Sequence, residues 1–162
     1  MENEIIEIDW ESAVDEYISI ANINPDVKQK FDSESFVILP SKYASKEYYY
    51  AQETIDFVKF CKSNSPDLKM DVLDNNDIVT RSLHSFSIWL PVIWVATNVL
   101  LPFAVSLVSS YVHDKLKGRE NESPEVDVTF EVHDGKKCKK IHYNGDISGF
   151  KEKFENIDLT KL

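Results

Sequence analysis

Trp10, Val14, Tyr17, Ile18 and Ala21 recur at helical spacing, so the pattern predicts an amphipathic helix over 9–22, ending before Asn24-Pro25. Ser35 to Leu39 is a short apolar, β-branched run stopped by Pro40, and it predicts a strand. Ser45 is placed to cap a helix running to about Lys62, with Tyr48, Ala51, Ile55 and Val58 on one face. The break SNSP at 63–66 precedes a second strand, Leu68 to Leu73. Strand, helix and strand together predict a small βαβ unit. Such a unit cannot cover both faces of its own sheet and needs a further layer.

The other end of the chain alternates. Val126, Val128, Phe130 and Val132 interleave with Asp127, Thr129 and Glu131, the period of a half-buried antiparallel strand. Asp134-Gly135 is a hairpin signal, Cys138 to Tyr143 supplies the return strand, and Asn144-Gly145 turns the chain again. Phe150, Phe154 and Ile157 then line a short helix, which makes the end a ββα module.

Between these ends the periodicity disappears. Ser85 to Val112, SFSIWLPVIWVATNVLLPFAVSLVSSYV, holds neither a charged residue nor a His. Wound as one helix it is apolar on every side, and it exceeds the ~20 residues that a bilayer core requires. Trp89 and Trp94 lie near one end and Tyr111 near the other, with Lys115 and Lys117 following, the order expected of interfacial anchors. Asn98 falls near the middle, where an amide calls for a partner helix or water. Pro102 is expected to kink the helix beside it, and Gly118 to end it. Ser106, Ser109 and Ser110 share a face and permit close helix approach. The fold class expected is therefore α+β: an acidic βαβ-like head (1–80), a long apolar helical segment (81–117) and a ββα module (118–162).

Composition changes this picture only through its distribution. The chain is 43% hydrophobic and 28% charged with a net charge of −10. Residues 1–80 hold seventeen acids against seven lysines, whereas 114–162 is close to neutral. The acidic head disfavours duplex nucleic acid and anionic lipid, and would suit a basic protein partner. MENEIIEIDWES is the reverse of a targeting signal, and Cys61 and Cys138 belong to no CxxC cluster, which suits reduced thiols inside the cell.

Catalytic motifs are not found: the chain contains no GxGxxG, GxxxxGK[ST], HExxH or GxSxG. His133, His142 and Cys138 could become neighbours on the hairpin, but they lack the fourth ligand of structural zinc. Acid pairs such as Asp71 and Asp74 have no basic companion in the sequence. Neither an enzyme, a cofactor nor a metal is expected.

LPFAVSLVSSYVHDKLKG followed by a ββα end resembles small bacterial proteins in which an apolar Pro-containing helix precedes a compact α+β module. Their build, a soluble part fused to apolar helices, is similar to that of membrane effectors of antiphage defence. The resemblance covers about a third of the chain and transfers no residue-level role. It implies an oligomeric cell-membrane protein with cytosolic soluble parts, a pore-forming effector in the manner of an ion channel. Asn98, Pro102, Ser106, Ser109 and Ser110 would then pack or line the pore. The alternative is a cytoplasmic, soluble interaction or inhibitor protein whose apolar helix is buried in a homo-oligomer or partner complex.

Overall fold

The computed structural model describes residues 4–9, 31, 33–42, 48–73, 79–81, 87–118, 124–134 and 137–155. In chain order the elements are β1 (Glu4–Asp9), β2 (Phe36–Leu39), β3 (Ser41–Lys42), β4 (Tyr48–Ala51), α1 (Thr54–Asn64), β5 (Met70–Val72), β6 (Val79–Arg81) and β7 (Ser87–Val95). A 3₁₀ turn (Asn98–Leu100), α2 (Leu101–Lys115), β8 (Glu125–Asp134), β9 (Lys137–Gly145) and α3 (Ile147–Glu155) follow. Six strands form one mixed sheet in the order β1-β9-β8-β7-β2-β5, and β3-β4-β6 form a second, smaller one. The expected βαβ unit is present, since β2 and β5 are parallel neighbours with α1 between them in sequence. The hairpin and final helix also stand as the pattern predicts, with Phe150 and Phe154 buried. Asp9, the first residue of the helix expected over 9–22, ends β1, and the rest of that helix lies outside the described residues, as does Ile157.

The apolar segment is not one helix. Its first half is β7, and its second half turns through Ala96-Thr97 into the 3₁₀ turn and α2. No helix among the described residues is long and apolar enough to cross a membrane. This overturns the expected transmembrane helix, and with it the membrane effector and the channel. The physical reason lies in the place of β7 in the sheet. It sits between β2 and β8, and a strand buried on both faces reads as an uninterrupted apolar run. Length alone does not separate such a run, followed by a buried helix, from a single bilayer-spanning one.

Both prolines fit this geometry. Trp89 pairs with Asp127 and Val92 with Thr129, so Leu90 and Pro91 together oppose Val128 in a bulge. A bulge is where an interior strand tolerates a residue without an N–H. Pro102 is the second residue of α2, whose first N–H groups have no helical acceptor in any case. It starts the helix and does not kink it.

The helix expected from Ser45 is corrected as well. Tyr48–Ala51 is a strand, antiparallel to β3 and parallel to β6, and α1 begins only at Thr54. Three consecutive tyrosines have strong strand propensity, and here pairing overrides the helical spacing.

α1, α2 and α3 share one face of the large sheet. Their contacts with Phe36, Ile38, Ile88, Leu90, Ile93, Val95, Val128, Phe130 and Ile141 make the core. The opposite face is covered too: Val37, Leu39, Trp94 and Cys138 are buried, and Phe31 meets the Trp94 ring edge-on at 5.1 Å. β8 is therefore not half-buried. Thr129 and Glu131, its polar alternates, are enclosed along with its valines.

Candidate functional site

Glu53 ends the β4 connection and starts α1. Its N–H donates to the Trp89 carbonyl at 3.3 Å, and its own carbonyl accepts from Phe57 N–H at 2.8 Å. The backbone thus aims the side chain into the seam between α1 and α2, where it is only 6% exposed. Tyr111 Oη donates to Glu53 Oε2 at 2.7 Å, and Lys115 Nζ lies 3.3 Å from the same oxygen and 3.5 Å from Asp56 Oδ2. Tyr111 and Lys115 meet one partner because residues four apart share a helix face. Phe57 and Phe60 present ring edges to Tyr111, at 5.3 and 5.4 Å.

Burial, then the Glu53 hydrogen bond and the nearby carboxylates, hold the Tyr111 phenol far above the ordinary tyrosine range. A phenol kept neutral in this way donates a hydrogen bond but does not serve as a base. The cluster is a clamp between two helices.

A second polar group lies on the hairpin. His142 Nε2 is 3.1 Å from Asp127 Oδ1, and Asn144 Nδ2 donates to Asp127 Oδ2 at 3.0 Å. His133 and Cys138 are cross-strand partners, while His142 is held by Asp127 further along β9. Among the described residues no three His, Cys, Asp or Glu side chains are grouped to hold a metal ion. Both thiols are free and buried; burial pushes Cys61 up to about 12, and burial with Glu131 nearby does the same to Cys138. Thiols held that high are protonated near neutrality and poor nucleophiles.

The surface offers a different feature. Outward from the 3₁₀ turn and α2 stand Val99, Pro102, Phe103, Ser106 and Ser110, all exposed and none charged. Val99 is 78% exposed and Phe103 42%. Val99, Phe103, Ser106 and Ser110 follow at steps of four, three and four, the step of a helix-packing seam. The solvent face of a surface helix normally carries charges, and this one has none before Asp114. Beside Phe103, an open groove of about 450 Å³ runs along Phe36, Leu68, Lys69 and Leu100. The Phe103 ring rests on Phe36 at 5.9 Å, so its exposed edge is held rather than free to fold inward.

No family model, curated protein or solved structure matches the chain. The candidate site therefore rests on its own geometry.

Of the residues singled out in sequence, Pro102, Ser106 and Ser110 lie on this exposed strip, and Ser109 is half-buried at its side. Asn98 is half-buried in the 3₁₀ turn, with its Oδ1 enclosed and without a hydrogen-bond partner among the described residues. The expected interfacial anchors sit elsewhere than at an interface. Trp89 and Trp94 are buried in β7, Tyr111 belongs to the clamp, and Lys115 and Lys117 pair with acids on α1 and α2. Val99 and Phe103 continue the spacing of Ser106 and Ser110, the one signal of this strip that the sequence carries. Glu53 carried no such signal, since its partner is 58 residues away.

Proposed function

We propose that this chain is a protein-interaction module that pairs with a second copy of itself through the outward face of α2. The observation that carries the reading is the exposure of Val99 and Phe103 on a helix face without charge. Copies carrying a net −10 repel one another over most orientations, and an uncharged strip is where close approach brings no like charges together. Phe103 and Val99 supply apolar area at one end of the strip. Ser106 and Ser110, being small, let a partner backbone come near at the other. A two-fold arrangement suits these parts, because each copy offers both the projecting side chains and the groove beside Phe103. The two unlinked thiols support a reducing, cytoplasmic setting for the module.

Light scattering coupled to size exclusion tests this. Wild type should elute at twice the chain mass and Phe103→Glu at the mass of one chain, with unchanged far-UV circular dichroism. A wild type that stays single at high micromolar concentration overturns the reading. So does a Phe103→Glu variant that remains paired.

A further inference from the structure

A second groove, of about 610 Å³, lies between α1 and the sheet-edge strand β5, lined by Ile55, Val58, Lys59, Lys62, Ser63 and Val72. It shares no residue with the α2 strip. Its volume falls within the usual range of binding clefts. Ile55, on the outer face of α1, is 60% exposed, a large aliphatic side chain left at the mouth of an apolar floor. Lys59 and Lys62 are three residues apart and stand on the same side of α1. Among the described residues neither lysine has an ion-pair partner, and no carboxylate lines the groove. Lys115 differs: it is committed to Glu53 and Asp56.

This local charge opposes that of its surroundings. Residues 1–80 hold seven lysines against seventeen acids, yet among the described residues two lysines line this groove and no acid does. The overall negative charge is screened beyond about 8 Å at physiological salt, so a ligand in the groove feels the two ammonium groups first. We infer that the groove is a docking site for a partner protein's short acidic segment that carries an aliphatic side chain between carboxylates. The aliphatic group would take the floor between Ile55, Val58 and Val72, and the carboxylates would meet Lys59 and Lys62. A segment of that composition answers both linings at once; a basic or purely apolar one answers at most one.

The probe is a seven-residue peptide alternating Glu with Leu or Ile, titrated into the full chain with isotope-labelled Ile and Val methyl groups. Peptides with Gln or Lys in place of Glu serve as comparisons. The acidic peptide should shift the methyl signals of Ile55, Val58 and Val72, with the Gln peptide about tenfold weaker and the Lys peptide weaker still. Lys59→Glu combined with Lys62→Glu should lower affinity for the acidic peptide at least about tenfold, and both sites are exposed enough to leave the fold intact. Phe103→Glu should leave this binding unchanged, which separates it from self-pairing on α2. Equal binding of the three peptides, shifts confined to other residues, or no shift at all overturns the inference.

Discussion

The Tyr111 hydroxyl donates to the Glu53 carboxylate at 2.7 Å, joining the residue that starts α1 to the last turns of α2 across 58 positions of sequence. That bond ties the two helices together within a seam that Phe57 and Phe60 also pack against the Tyr111 ring. Lys115 neutralises the same carboxylate from a position with one side in water. A buried acid with a neutral donor and a half-solvated cation is satisfied, whereas the same acid stripped of its donor is not.

Tyr111→Phe should therefore destabilise the fold by about 1–3 kcal/mol, because Glu53 keeps its burial and loses its hydrogen bond. Lys115→Ala should cost less, under about 1 kcal/mol, since its side chain is 37% exposed and solvent replaces much of its interaction. Urea denaturation of the two variants checks the order. A Lys115→Ala that costs more than Tyr111→Phe would show that charge, not the hydroxyl, governs the seam.

Alkaline pH should weaken the fold through four groups held in their neutral form. Cys61 and Cys138 sit at about 12 when folded, Tyr111 and Tyr143 are raised by burial, and each is the neutral form held in place. A folded value above the unfolded one means stability is whole below the unfolded value and declines as pH rises toward the folded one. Thiols of the unfolded chain ionise near 8.5 and its tyrosines near about 10. Stability from these four groups should be level up to about pH 8 and fall between there and about pH 12, by thermal melts across that range. In the same experiment at about pH 8, a thiol reagent should label neither Cys until denaturant is added. Rapid labelling of the native chain would refute the burial of both.

Gly149→Ala should destabilise the chain although alanine favours helices. A methyl group there would meet Tyr143 Oη at 2.5 Å and Asp146 Oδ1 at 3.0 Å. Neither yields easily, since Tyr143 Oη donates to the Asp146 carbonyl at 2.5 Å and Asp146 Oδ1 accepts from Gly149 N–H at 2.6 Å. Overpacking of about 1–3 kcal/mol outweighs a propensity gain of under about 1 kcal/mol. Combining it with Tyr143→Phe should shrink the Gly149→Ala penalty, because the nearer of the two obstructing oxygens is gone while Asp146 Oδ1 remains at 3.0 Å. Additive losses in that cycle would place the clash elsewhere.

The ends of this chain were legible because their residues alternate for reasons internal to each segment. The β8-β9 hairpin follows from a period of two interrupted by Asp134-Gly135, and α3 follows from Phe150 and Phe154 at a helical step. The strand–helix–strand order of β2, α1 and β5 could be read in the same way, apart from where α1 begins. At residues 48–51 a helical spacing and a strand propensity coincide, and only β3 and β6 decide between them.

The charge-free centre was the opposite case. Sequence alone determined that most of 85–112 must be hidden from water, since 28 consecutive uncharged and mainly apolar residues leave no charged face to present; the outward strip from Val99 to Ser110 is the exception. What hides it was decided by the tertiary structure. β7 is enclosed by neighbours on either side and layers above and below, α2 lies against its sheet, and the membrane is replaced by the protein's own interior. Hydrocarbon and a packed core impose the same demand on a side chain, and they differ only in which backbone partners surround it. Those partners, Trp89 against Asp127 or Trp94 against Glu131, come from strands far along the chain, and no local pattern announces them.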